Sequence, residues 1–356
     1  AGVYRISAEL PGFTTVLRPG VELLLGRQVT LDLELTVSGV QETVTVTGEA
    51  PLIDTTSSNI ASNIDPRQMQ DLPLNGRNWM DLTLLSPGSR TNSATEIPQD
   101  RQGYFQVNVD GQQVTFTLCC QQNQPRFSRD AIAEFELTTN RFDATKGRTA
   151  GMMVNAITKS GTNTPSGTVS GYFRDDKWNA KDHIQNRVLP YSNKQYSGTF
   201  GGPIVRDRIH FFGNIERETE PSTVTFSSPY PAFNVDLEGE RTEFKAGPKV
   251  DWQFTPNLRM STRYTRYQVK IPNIGTGGAA VHPSTGRVDE CVANQWFFDV
   301  NQVVNARSLN SVKVGTAYLR YLLQPVAGWG TTGNRRPPGT PSLYRDVFGG
   351  EEIDGG

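Results

Sequence analysis

The feature that most constrains this chain is a set of long segments in its second half in which apolar and polar residues alternate. The clearest segment runs from Glu243 to Phe254, and a second, Leu258 to Val269, follows the turn Thr255-Pro256-Asn257. Successive side chains of a β-strand point to opposite faces, so each segment has one apolar and one charged face. The segments are about 9 to 12 residues long, which is the length that a tilted strand needs to cross a bilayer.

Other segments after residue 166 alternate in the same way, and the connections between them are short and long in turn. The further strands expected are Thr168–Arg174, Gln195–Val205, Arg208–Glu218 and Leu309–Leu322. The long connections expected are Asp175–Lys194, Glu218–Thr242 and Lys270–Ser308. About six strands of a transmembrane antiparallel β-barrel, with a wet lumen on the charged face, fit this pattern. A soluble antiparallel β-sandwich alternates in the same way and stays open as the alternative.

Composition excludes several classes of function. The formal net charge of −1 provides no global field for nucleic acid or acidic lipid. No run of about 18 apolar residues is present, so a membrane-spanning helix is not expected.

No signature of enzyme chemistry is present. None of the three histidines has a Glu three residues away, as a zinc carboxypeptidase needs, and there is no G-x-S-x-G elbow or phosphate-binding loop. The cysteines Cys119, Cys120 and Cys291 lack zinc spacing and cannot all pair with one another. We therefore predict no catalytic residues, no metal site, no cofactor and no enzyme activity.

The first half reads as smaller modules. Residues 1–40 alternate like the last strands of a small β-sandwich, and the extended, β-branched segment Gln41–Leu52 follows. Residues 59–163 predict an α+β domain. Its signals are a helix capped by Asp65, a second helix near Asn78–Leu85, a hairpin at Asp110-Gly111 and strands in the stretch 130–163.

Several motifs in this order carry a family resemblance. They are DAIAEFE with GMMVNAITKSGTN in the stretch 130–163, LPLNGRNWMDLTLLSPG at 72–88, FQVNVDGQQV at 105–114 and GTFGGPIVRDRIHFFGNIE at 198–216. Together they resemble TonB-dependent outer-membrane receptors, and most closely the Oar-like branch, which carries a carboxypeptidase-regulatory-like domain before the plug. The start, AGVYRISAELPGF, is similar to the closing half of that domain, whose fold also resembles carbohydrate-binding modules.

The resemblance implies a mainly β architecture with four parts. These are the end of a β-sandwich (1–40), a TonB-box-like segment and linker (41–58), a plug domain (59–163) and the first strands of an incomplete barrel (164–356). It implies energy-coupled uptake through the outer membrane of a Gram-negative-type bacterium, with membrane lipid and the periplasmic domain of TonB as partners. Since about six strands are visible against about 22 in plugged transporters, we expect an internal fragment of a longer protein.

The segment before the plug is expected to bind TonB. Glu42, Thr43, Val44, Thr45, Val46 and Thr47 are similar to the family's E-T-x-x-V-T box. An extended strand of this kind can leave its place and pair with the edge of a partner sheet. The alternative is a last strand of the sandwich, followed by a linker.

A loop of the plug is expected to bind the ligand. It offers Gln121, Gln122, Asn123, Gln124, Arg126 and Phe127. Amides with one arginine and an aromatic ring suit a neutral or weakly anionic polyol, a sugar or a peptide better than a bare metal ion. The alternative for this loop is that its side chains only bond the inner wall of the barrel.

A second reading of the whole chain is a secreted β-rich adhesion or carbohydrate-binding protein. It rests on the sandwich-like start and the high β content, and it predicts a soluble domain ending near Pro325.

Overall fold

The computed structural model describes most of the chain. The described residues are 2–26, 29–37, 43–45, 60–72, 74, 77–86, 106–115, 126–139, 152–181, 183, 186–188, 191–221, 224–226, 235–237, 239–274, 287–305 and 307–325. They divide into two compact units, residues 1–113 with 132–158 and residues 114–131 with 159–356. No helix in the described ranges is long and apolar enough to cross a membrane.

The described residues of the first unit form eight strands and one α-helix. They are β1 (Gly2–Ala8), β2 (Thr15–Leu23), β3 (Thr43–Thr45), β4 (Ile60–Ile64), α1 (Pro66–Asp71), β5 (Gln106–Val109), β6 (Gln112–Gln113), β7 (Ile132–Thr139) and β8 (Met153–Thr158). A 3₁₀ helix, Trp79–Leu85, lies at the position predicted for the second helix.

The second unit is dominated by long strands. They are β9 (Ser166–Asp175), β10 (Ser192–Val205), β11 (Ile209–Pro221), β12 (Val224–Phe226), β13 (Val235–Leu237), β14 (Glu240–Thr255), β15 (Leu258–Ile274), β16 (Arg287–Asn305) and β17 (Ser308–Pro325). Two 3₁₀ turns, Arg129–Ala131 and Asp176–Trp178, complete it.

The small sheet at the start has the order β1-β2-β3, with β2 in the centre. β1 and β2 are antiparallel, whereas β3 pairs with β2 in parallel, so that Thr15 to Leu17 lie opposite Thr43 to Thr45. The strand expected within 29–35 is not formed, and the isolated bridge between Phe13 and Val37 is the pairing found there. The alternating side chains of this segment are half-buried or exposed, so no packed face holds it in a sheet.

A mixed sheet of order β4-β7-β8-β5-β6 forms the plug-like part of the first unit. Its apolar face buries Phe135 and Leu137 completely, and Trp79 of the 3₁₀ helix meets Phe135 edge-on at a ring distance of 5.1 Å. Helix α1 begins as predicted: Asp65 accepts from the N–H of Arg67 and Gln68, both at 2.8 Å, in a capping box. The predicted hairpin turns at Asp110, whose φ of 52° precedes Gly111.

The opposite face of this sheet carries a row of polar side chains, one from each strand. The register places in line Asn63, Glu136, Asn155, Asn108 and Gln113. Asn108 donates to Asn155 at 2.9 Å, so neighbouring members of the row bond directly. One face of the sheet is therefore a packed core and the other a half-buried hydrogen-bonding surface.

The second unit is built on an antiparallel sheet of order β17-β16-β15-β14-β11-β10-β9. Short turns join β10 to β11 and β14 to β15, as the sequence predicted, and Asp207 takes a φ of 62° in the first. Each strand pairs with its neighbours over nearly its whole length. Among the strands that the structure describes, β9 and β17 form the two edges.

The sequence prediction missed β16, whose nineteen residues lie in the segment expected to be a long connection. Alternation is blurred here because the buried face carries Cys291, Ala293 and Phe297, while Glu290 and Asn294 occupy the other face. A search for strands with one charged face and one apolar face therefore does not find β16, although β16 pairs with β15 and β17 over its length.

The junction before β9 is locked to the first long hairpin. A Cβ at Gly161 would lie 2.1 Å from the carbonyl oxygen of Phe211, so no larger residue fits. Asn163 donates to Asp207 Oδ1 at 2.6 Å and accepts from the Asp207 N–H at 2.8 Å. The motif Lys159-Ser160-Gly161-Thr162-Asn163 thus folds back on the β10–β11 turn.

Candidate functional site: a buried charge network on the long sheet

The long sheet buries its charged face and exposes its apolar face. Glu216 and Glu243 are each 2% exposed, whereas Phe200 and Trp296 are each 56% exposed. Soluble proteins bury and expose these residue types the other way round. An apolar face left open on every other residue is what a strand presents to lipid in a membrane barrel.

The segment 126–131 packs on the charged face of the sheet. The Ser128 hydroxyl donates to Glu216 Oε2 at 2.6 Å, and the Ser197 hydroxyl of β10 donates to Asp130 Oδ2. Ser128 and Ala131 are both buried. The 3₁₀ turn Arg129–Ala131 therefore sits directly against β10 and β11.

Ion pairs surround this contact. Lys245 Nζ lies 2.7 Å from Glu216 Oε1 and 3.0 Å from Glu243 Oε1. The Arg241 guanidinium binds the other oxygen of Glu243, and Arg126 Nη1 lies 3.8 Å from that same oxygen. Burying charges is costly unless each has a close partner, and here the carboxylates alternate with cations.

The network continues along β10, β11 and β14, toward the ends at which Tyr191, Glu220 and Arg241 lie. Arg241 also reaches Glu220 at 3.3 Å, and the Tyr191 hydroxyl donates to the other oxygen of Glu220 at 2.9 Å. Asn193 donates to Glu218 at 3.0 Å. A continuous chain of polar contacts thus runs from Tyr191, at the start of β10, to Arg126.

Phe127 is held by packing. It is 5% exposed, and the guanidinium carbon of Arg263 lies 5.3 Å from its ring centre and 5.4 Å from that of Phe297. A cation between two aromatic faces is attracted to both. Nearby, Gln295 donates to the carbonyl of Val114 at 3.4 Å.

The residues predicted to bind ligand are only partly visible. Arg126 and Phe127 contact the sheet, in the manner of the alternative that gave this loop a packing role. Gln121, Gln122, Asn123 and Gln124 lie outside the described residues, as do Cys119 and Cys120. Cys291 is a free thiol, fully buried in β16.

The predicted TonB-binding segment is also seen in part. Thr43, Val44 and Thr45 form β3, the edge strand of the small sheet, while Glu42, Val46 and Thr47 lie outside the described residues. This pairing has the geometry of the alternative, a last strand in the sheet. An edge strand is also the element that a partner sheet can take over.

The charged face was predicted from the sequence, but the ion pairs between neighbouring strands on that face were not. The alternation of Glu243, Lys245, Lys249 and Asp251 predicted a wet lumen. Register across β11 and β14, which brings Glu216 opposite Lys245, is a tertiary property that one strand does not reveal.

Comparison with known proteins agrees with this geometry. A family profile described as "Outer membrane beta barrel domain" matches residues 157–245. The TonB-dependent transporter Oar of Myxococcus xanthus is 23% identical over 277 residues, which is 70% of this chain and 25% of that protein. The chain is similar to Oar-like TonB-dependent receptors in sequence and in fold. It spans a quarter of the length of this relative.

Solved structures of TonB-dependent receptors show the same fold. The outer membrane transporter YddB of Escherichia coli superposes with a TM-score of 0.59 at 13% identity, covering 72% of this chain and 38% of YddB. The ferric enterobactin receptor PfeA of Pseudomonas aeruginosa, as a mutant, superposes with a TM-score of 0.56 at 14% identity, covering 79% and 43%.

These comparisons confirm three predictions. The resemblance to Oar-like TonB-dependent receptors holds, the outer membrane is the location of this fold, and the family is one of transporters rather than enzymes. The mixed sheet followed by a series of antiparallel strands matches the fold of part of such receptors.

Proposed function

We propose that the chain is part of a TonB-coupled outer-membrane transporter, in which the charge network described above holds segment 126–131 on the charged face of the long sheet. The observation that carries the proposal is the reversed burial of the long sheet, with Glu216, Glu243 and Lys245 inside and Phe200 and Trp296 outside. Such a sheet is stable only where lipid covers its apolar face.

These contacts could act as a gate, because segment 126–131 is bound to the long sheet by several polar contacts at once. Segment 126–131 contributes Arg126, Ser128 and Asp130, and the strands contribute the opposite partners. Moving the segment takes Ser128 away from Glu216 and Arg126 away from Glu243, while Lys245 stays beside both carboxylates. Water then replaces the segment, which favours a hydrated path along the charged face. The work for this step comes from TonB, driven by the proton gradient across the inner membrane.

The partner contact is assigned to the box-like segment, Glu42 to Thr47. Val46→Pro removes an N–H and fixes φ, so strand pairing with the periplasmic domain of TonB is lost while the fold is kept. In the full-length protein we expect heat-modifiable migration from the outer-membrane fraction, energy-dependent uptake and loss of TonB binding in Val46→Pro. A soluble full-length protein, or unchanged TonB affinity in Val46→Pro, contradicts the proposal.

For the substrate we propose a neutral or weakly anionic polyol, a sugar or a peptide, bound by Gln121, Gln122, Asn123 and Gln124. Arg126 and Phe127 contact the sheet, so we expect them to stabilise the fold, whereas the amides are expected to bind the ligand. One set of variants can distinguish these two roles. The double change Gln121→Ala, Gln122→Ala is expected to weaken ligand affinity at least about tenfold with unchanged melting temperature, since each lost hydrogen bond contributes about 1 kcal/mol. Arg126→Ala should instead lower the melting temperature. Wild-type uptake in the double variant assigns the loop to packing.

A further inference from the structure

The turn that ends β2, Leu25–Gly26, docks on the plug-like sheet. The Leu25 N–H donates to Glu134 Oε2 of β7 at 3.4 Å, and the Leu25 carbonyl accepts from Asn63 Nδ2 of β4 at 3.2 Å. Both backbone groups of one residue are therefore bound by side chains of two adjacent strands. We call Leu25–Gly26 the docking turn.

Glycine is required in this turn for two reasons. Gly26 has a φ of +70°, which side chains other than that of glycine rarely adopt. A Cβ there would lie 2.2 Å from the carboxylate of Glu136, so that carboxylate would have to move away from the turn. Glu136 belongs to the polar row of the plug-like sheet. The docking turn thus lies on the β4–β7 end of that row.

The same strand that carries the docking turn also holds the box-like strand. β2 is the central strand of the small sheet, and β3 pairs with its start, at Thr15 to Leu17. Without β3 the sheet is reduced to the hairpin β1–β2, and an isolated two-stranded hairpin is at best marginally stable in water. The stability of the docking turn therefore depends on whether β3 is in place.

We propose that the docking turn is a latch that couples the box-like strand β3 to the plug strand β7. The proposal rests on the assignment of β3 to the TonB-binding segment. When TonB takes β3, the small sheet loses its third strand, the docking turn leaves Glu134 and Asn63, and β7 loses that cover. The signal reaches β7 through β2, in addition to the covalent path along residues 46–59.

The buried acceptors at the latch fit a contact that is built to open. Glu134 is 1% exposed, yet its Oε1 accepts no hydrogen bond from the described residues, and neither does the buried Asn63 Oδ1. Buried acceptors without donors destabilise the closed arrangement relative to a hydrated one. The closed latch is thus only slightly lower in free energy than the open one.

The test uses two aspartate substitutions in the full-length receptor. Gly26→Asp places a carboxylate against Glu136 and Glu134, whereas Gly12→Asp adds the same charge at a φ of +87° with nothing within 4 Å. Both strain the backbone, and only the first opens the latch. Amide hydrogen exchange without TonB should rise at least about tenfold in β3 and in Ile132–Thr139 for Gly26→Asp, and stay unchanged there for Gly12→Asp.

Two further measurements separate this proposal from the assignment of the partner. Val44→Pro, which removes an N–H from β3, should raise exchange at Leu25 and in β7 without any TonB present. Since coupling is reciprocal, Gly26→Asp should also bind the periplasmic domain of TonB about five-fold tighter or more. Equal β7 exchange in Gly26→Asp and Gly12→Asp overturns the latch. Coupled exchange in β3 and β7 with no TonB binding upholds the latch and overturns the proposed partner.

Discussion

At the scale of single residues, Lys245 is the group on which the charge network depends most. It neutralises two carboxylates that are each 2% exposed, Glu216 and Glu243. Lys245→Met keeps the length of the side chain and leaves both carboxylates short of a cation. Removing one partner of a buried ion pair costs about 3 to 5 kcal/mol, so we expect a clear loss of thermal stability in the full-length protein.

The control for this prediction is the double change Lys245→Met, Glu216→Gln. It removes one charge of each sign and keeps hydrogen bonding from Gln195 and Ser128 possible. Recovery of more than half of the lost stability is expected. If Lys245→Met alone melts like the wild type, these ion pairs do not stabilise the long sheet.

Glu134 gives the plug-like sheet a defined pH dependence. Burial raises the pKa of its carboxyl above the ordinary value of 4.5, and the nearby charge of Glu22 raises it further, against hydrogen bonds from Leu25 and Asn63. A raised pKa means that the folded state binds the proton more readily than the unfolded state does. The contribution of Glu134 to folding stability is therefore greatest below about pH 4.5, and it is lost as pH rises through the raised pKa.

Glu134→Gln should remove this slope, because glutamine carries no charge and puts an N–H₂ donor near the unpaired acceptor Asn63 Oδ1. Protection of the Ile132–Thr139 amides, corrected for the intrinsic effect of pH on exchange, is the measurement. The exposed Glu9 provides the control as Glu9→Gln. A slope that persists in Glu134→Gln shows that another group titrates.

Single residues also show how far sequence reasoning reaches. The Asp65 cap and the Asp110-Gly111 turn depend on local chemistry and were predicted correctly. The contacts of Arg126 and Glu134 join residues more than 100 positions from their partners, and no local pattern encodes such pairs.

At the scale of elements, the junction before β9 makes a sharp prediction. Gly161→Ala would place a methyl group 2.1 Å from the Phe211 carbonyl and 2.8 Å from that of Gly202, both backbone atoms that cannot rotate away. We expect poor assembly of the β10–β11 hairpin with the junction, seen as low recovery of heat-modifiable protein.

Gly213→Ala is the matched control, because its Cβ would meet only one atom, at 4.0 Å, in the same sheet. It should assemble normally. Equal recovery of the two variants refutes the tight junction.

Elements were predicted where one face of a strand is uniform in character. β14 and β15 satisfy this condition and were found, with their turn. β16 fails it, because its buried face mixes the apolar residues Cys291, Ala293 and Phe297 with the polar residues Asp289 and Gln295. The segment 29–35 alternates but forms no strand, since alternation alone supplies no partner.

At the scale of the whole molecule, the apolar face has the height of a bilayer. On β14 it runs from Phe244 to Phe254. Ten steps of about 3.3 Å, on a strand tilted by about 40°, span about 25 Å, which is the height of the apolar band of outer-membrane barrels. On the neighbouring strand β11, a charged residue already stands level with the end of this face, since Arg217 pairs with Phe244.

The central claim is that lipid covers this apolar face while the charged face is turned away from it. A nitroxide scan from Ala246 to Trp252 in the full-length protein, reconstituted in lipid, tests it most directly. We predict maxima of oxygen accessibility at Ala246, Val250 and Trp252 and minima at Gly247, Lys249 and Asp251, whose side-chain face is buried. Accessibility to a water-soluble nickel reagent that peaks at Val250 and Trp252 would contradict the account.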